Sequence, residues 1–140
     1  MTDTQPSHFD QLIDAASAQP EPQRLLFVFA GAELPADATA AQRERYEAGE
    51  GGALEPLACV DKGVSEVTSF DALIAESRNA CPPWRVMFIA GLPGSHGREP
   101  SADRVDSALN GMVERIRAGN FQGFMALNPL GEPLNFRAAA

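Results

Sequence analysis

Cysteine and histidine are scarce in this chain of 140 residues: Cys59, Cys81, His8 and His96 are the only ones, and they are widely separated. No zinc-type ligand spacing can be assembled from them, so neither a metal nor a cofactor is expected. Basic residues are also few, 11 Lys and Arg against 19 Asp and Glu, for a formal net charge of -8. Nucleic acid binding needs a row of cations facing phosphates, and an anionic membrane surface needs the same, so neither partner is expected. Long apolar runs are missing as well. The longest, Leu25 to Ala30, falls far short of the ~20 residues that span a bilayer. The opening Met-Thr-Asp-Thr-Gln-Pro has no basic patch followed by an apolar stretch, so no signal peptide is expected, and the chain reads as cytoplasmic. Cys59, within Leu57-Ala-Cys-Val60, reads as a buried inert thiol. Cys81, before two prolines, reads as the more accessible one, and a disulfide between the two stays open.

What is present is a pair of short apolar runs bounded by breakers, Arg24 to Ala30 and Arg85 to Ala90. Each reads as a strand buried on both faces. Helices alternate with them. Ser7-His-Phe-Asp10 is a capping-box pattern ahead of Phe9, Leu12, Ile13 and Ala16, which follow helical spacing; Pro20 and Pro22 end that helix. A second box, Thr39-Ala-Ala-Gln42, opens a mostly polar surface helix to Ala48, and Gly49 to Gly52 form a flexible break. Leu54 to Val60 reads as a strand, and Val64 to Val67 as its short hairpin partner. Thr68 opens a third helix carrying Phe70, Leu73 and Ile74. Ser101 caps the last, where Val105, Ala108, Leu109, Met112, Val113 and Ile116 form an apolar stripe that Gly119 terminates. Phe124 to Leu127 and Leu134 to Phe136 read as a terminal hairpin, with residues 137–140 frayed.

The two halves echo each other. Phe9, Leu12, Ile13, Pro22, Arg24 and Phe27 match Phe70, Leu73, Ile74, Pro83, Arg85 and Phe88 without a gap. Two readings stand: duplication of an α-β-α-β-β unit, with pseudo-repeats at 7–67 and 68–136, or convergence under the same burial rules. Both give a single α/β domain over 1–140, a mixed sheet covered by helices, with α+β as the alternative class.

The best candidate site is the loop Gly91-Leu-Pro-Gly-Ser-His-Gly-Arg98. Gly91, Gly94 and Gly97 let backbone approach an anion, and Ser95, His96 and Arg98 offer side-chain donors after a buried strand. The loop lacks the Lys-Ser/Thr ending of a P-loop and the dinucleotide glycine spacing. His96 reads as a candidate general base, but Ser95 beside it lacks an orienting carboxylate. Glu44, Glu47 and Glu50 read as a solvated helix face. Trp84 reads as core, with a contact surface as the rarer reading, and Arg24 and Arg85 read as partners of surface acids, with anion binding as the rarer reading.

Three stretches carry a family resemblance: Pro20-Glu-Pro-Gln-Arg-Leu-Leu-Phe-Val-Phe-Ala30, Tyr46-Glu-Ala-Gly-Glu-Gly-Gly-Ala-Leu-Glu-Pro-Leu-Ala-Cys-Val-Asp-Lys62, and Gly131-Glu-Pro133. Together the chain resembles a family of small uncharacterised proteobacterial proteins that often bear the label ribonucleotide reductase alpha subunit. That label implies a much longer barrel enzyme with a radical cysteine and a redox cysteine pair. Cys59 and Cys81 cannot supply that set, so the resemblance transfers no catalytic residue.

With no catalytic constellation in view, the expected function is a small non-enzymatic protein acting through protein contacts or regulation, a homodimer being one form of it. The alternatives are an anion- or nucleotide-binding module at the Gly91–Arg98 loop, and a small hydrolase using His96 or Cys81.

Overall fold

Alternate side chains of a strand project to opposite faces. The first apolar run therefore sends Leu25, Phe27 and Phe29 to one side and Leu26, Val28 and Ala30 to the other, and all six are buried. The second run divides likewise, Met87 and Ile89 against Val86 and Phe88. A computed structural model describes residues 7–33, 37–47 and 53–134 and places these runs side by side. They are β1, Gln23–Glu33, and β3, Val86–Pro93, paired antiparallel with Phe27 opposite Ile89 and Val28 opposite Phe88. β2, Ala53–Gly63, flanks β1, and the short β4, Met125–Leu127, flanks β3, giving the order β2-β1-β3-β4.

All three pairings are antiparallel. The sheet is thus not mixed, although helices do separate the strands. The reason is geometric: the segments between β1 and β2 and between β3 and β4 return the chain to a neighbouring position in the opposite sense. β2 carries a bulge, since Phe29 faces Ala58 and Ala30 faces Pro56, leaving Leu57 as the extra residue. Pro56 and Lys62 suit β2 to a sheet edge.

Helices cover both faces. On one lie α1, His8–Ser17, and α3, Phe70–Ala80, joined by a Phe9–Phe70 ring contact at 5.3 Å. Trp84 completes this layer. It packs on Phe29 at 5.2 Å, and its Nε1 donates to Ser77 Oγ at 2.8 Å, so its polar atom is satisfied inside the core. On the other face α4, Ala102–Arg117, buries Val105, Leu109, Met112 and Ile116, while Phe88 packs against Phe121 and Phe124. The apolar stripe of α4 is the one expected. α2, Ala40–Glu47, lies on the surface with Glu44 and Glu47 exposed.

Local signals set the helix ends. Ser7 Oγ accepts from Asp10 N, Thr39 and Gln42 form a reciprocal box at 3.2 and 2.8 Å, and Ser101 Oγ accepts from Arg104 N. For α3 the cap is Ser69, accepting from Ala72 N, and not Thr68. Val64–Glu66 is a 3-10 turn, not a hairpin strand: Glu66 reaches back to Gly63 N at 2.9 Å and curls the chain. The arm after β4 reduces to a bridge between Leu127 and Pro133 and a bond from Leu134 N to Ala126 O. The glycine break at 49–52, Glu50, Phe136 and the frayed end expected at 137–140 lie outside the described residues.

Candidate functional site

Three of the eight loop residues are strand. Gly91, Leu92 and Pro93 continue β3 and pair with Leu25, Arg24 and Gln23. The loop proper is Gly94 to Arg98, and it closes on itself. Ser95 N donates to Arg98 O and Arg98 N to Ser95 O, both at 3.0 Å, around His96 and Gly97 with φ of 55° and 75°. Two consecutive positive φ values define a tight hairpin turn. Gly94 N donates to Pro22 O at 2.8 Å, and Gly97 N to Glu21 Oε2 at 2.8 Å.

The consequence for the expected anion site is direct. The amides of Gly94, Ser95, Gly97 and Arg98 are all spent, one of them on a carboxylate. Because the sheet is antiparallel, the end of β3 lies beside the start of β1, so there is no shared carboxyl-end crevice of the kind open parallel sheets use. The glycines follow from backbone geometry: a Cβ on Gly94 would sit 1.8 Å from Arg98 O, and Gly97 has its positive φ. Ser95, His96 and Arg98 are exposed on the turn, and nothing in this arrangement gathers them around an anion.

What the turn does is close one end of an open cleft of about 680 Å³. Ile13 and Ala16 of α1 and Val64 of the 3-10 turn give it apolar walls, and Glu21, Glu99 and Gly97 stand among its lining residues. Among the described residues no Lys or Arg lines it. Glu99 lies 3.6 Å from Arg24, whose Nε holds Asp61 at 2.7 Å and whose Nη1 holds Glu66 at 2.9 Å. Arg24 thus pairs with surface acids, as expected of it. The Asp61 hydrogen bond raises the Arg24 pKa further. The Gly63 amide, and then Arg24, hold the Glu66 carboxyl below its ordinary range.

Neither Glu21 nor Glu99 stands out in the sequence. The only signal is that Glu21 lies between Pro20 and Pro22, and Glu99 precedes Pro100. Prolines pin a backbone without showing where a neighbouring carboxylate points.

The cysteines exchange roles. Cys59 is exposed on β2, the strand at one edge of the sheet. Cys81 is half-buried at the end of α3, where its Sγ lies 3.5 Å from Ser77 O and burial pushes its thiol up. Both are free thiols. Among the described residues no group of three His, Cys, Asp or Glu is placed to hold a metal ion, no buried side-chain polar atom lacks a partner, and no helix is long and apolar enough to cross a membrane.

No family model, curated protein or solved structure matches the chain.

Proposed function

We propose that the protein is a cytoplasmic, non-enzymatic module that acts through protein contacts, docking a basic segment of a partner in the cleft between α1, the 3-10 turn and the Gly94–Arg98 turn. The observation that carries this reading is the cleft's lining: apolar side chains of α1 beside Glu21 and Glu99, with no cation among the described lining residues. Such a surface suits an aliphatic side chain next to a Lys or Arg, and the chain's net charge of -8 favours approach of a basic partner. Nucleotide or phosphate binding has less to support it, because four of the turn's amides, those of Gly94, Ser95, Gly97 and Arg98, are occupied, and the Glu21 carboxylate takes one of them. A Cys81 nucleophile loses its support too, since a thiol with a raised pKa is less available as thiolate.

A pull-down from the native cell with the intact chain, repeated with Glu21→Lys and with Ile13→Asp, tests the assignment. Partners held by the wild type should be lost or weakened about tenfold or more in both variants. An unchanged set of captured proteins would place the docking surface elsewhere.

A further inference from the structure

Leu130 is the only large apolar side chain among the described residues that stands in solvent, 81% exposed. Its exposure is built in. The turn carrying it follows β4 and is held by Gly131 N to Asn128 O at 2.9 Å, Asn128 N to Glu132 O at 3.0 Å, and Asn128 Oδ1 accepting from both Leu130 N and Glu132 N at 2.9 Å. Asn128 Nδ2 also holds Glu132 Oε1 at 2.9 Å. Gly131 adopts φ 83°, and a Cβ there would lie 3.3 Å from the Phe70 ring, so the turn backbone presses on the core. A leucine held this way has little backbone freedom to lose on binding.

Next to it lies a pocket of about 420 Å³ lined by Ile74, Cys81, Pro83, Trp84 and Pro129, with the exposed Arg78 beside them. Trp84 Nε1 is spent on Ser77, so the ring offers the pocket no free donor. Among the described residues Arg78 has no ion-pair partner, and neither has Glu132. Knob and pocket are contiguous, since Pro129 walls the pocket and Leu130 follows it in the chain. They are also complementary: an apolar tip next to an acid, and an apolar hole next to a base.

We infer that the chain self-associates about a twofold axis, Leu130 of each copy seating in the Trp84 pocket of the other and Glu132 facing Arg78. A second copy is the occupant because adjacency of knob and hole is the geometry an isologous contact requires: one rotation satisfies both pairs at once. The opposite charges bias the register. This surface is separate from the proposed docking cleft. Trp84 precedes β3 and the Gly94–Arg98 turn follows it, so the length of that strand, roughly 25 Å, lies between them. Dimerisation and partner docking therefore do not compete.

Sedimentation equilibrium of the full chain, from roughly 5 µM to 0.5 mM to bracket a weak interface, should show the mass rising from 14.9 kDa towards twice that value. Leu130→Asp should abolish the rise with the circular dichroism spectrum unchanged, because Leu130 makes no core contact. Arg78→Glu should weaken association about tenfold, and the exchange Arg78→Glu with Glu132→Lys should recover most of it. Trp84 is the only tryptophan and lines the pocket, so its emission should shift with concentration in the wild type and stay constant in Leu130→Asp. A chain that stays monomeric throughout, a dimer that survives Leu130→Asp, or a Trp84 emission independent of concentration would each overturn the assignment. In the monomeric case the pocket is left to an aliphatic side chain of another protein.

Discussion

A Cβ on Gly94 would lie 1.8 Å from the carbonyl oxygen of Arg98, whereas nothing stands within 4 Å of one on Gly97. The two glycines therefore serve different ends: Gly94 allows two backbones to touch, and Gly97 allows a φ of 75°. Gly94→Ala must push the chain apart and should cost about 3 kcal/mol. Gly97→Ala meets only the left-handed penalty of roughly 1–2 kcal/mol. Urea denaturation of both variants checks the order, and a larger loss at Gly97 would mean that the turn is not closed as described. Composition marked this loop but could not show what it binds. An amide's direction is set by φ and ψ, and here those angles turn the donors inward, onto Pro22, Arg98 and Glu21. The cysteines teach the same lesson. Cys59 sits in an apolar run yet is exposed, because neighbours in sequence do not reveal that a strand lies at an edge.

Elements were legible where the signal is local. Ser7, Thr39 with Gln42, and Ser101 cap helices as their spacing indicates, and the stripe from Val105 to Ile116 faces the sheet. Two hydroxyls in a row blur the third case. Thr68 and Ser69 both fit the pattern, and only the residue whose backbone is extended immediately before the first helical turn can accept the bond; that residue is Ser69. Ser69→Ala should cost about 1 kcal/mol in thermal or urea unfolding, and Thr68→Ala, at an exposed position, close to nothing. Equal losses would mean that the hydroxyls share the cap. Strand direction was not legible at all. A run buried on both faces looks the same in parallel and antiparallel sheets, and an intervening helix does not fix the sense in which the chain returns. Val64 to Val67 shows the limit of propensity, since β-branched residues there yield to Glu66 folding back on Gly63.

At the scale of the whole molecule, the two apolar runs lie together in the interior with helices on either side, and this much was written in their composition. The echo between the halves is harder to carry over. Antiparallel neighbours can be exchanged only by a twofold axis normal to the sheet, which keeps each residue on its own face. A gap-free offset matches Phe27 with Phe88, yet these side chains lie on opposite faces, while α1 and α3, matched at the same offset, share one. Any superposition of the halves therefore needs a one-residue slip between helix and strand. The same parity divides the core into two layers that communicate only through the sheet. Leu73→Ala in the α3 layer should cost about 2–5 kcal/mol, and Ile116→Val in the α4 layer about 0.5–1.5 kcal/mol. With no shared side-chain partner, the double variant should lose the sum of the two to within about 0.5 kcal/mol in urea unfolding. A coupling clearly above that, of either sign, would mean that α3 and α4 reach one another around the sheet and that the interior is one layer, not two.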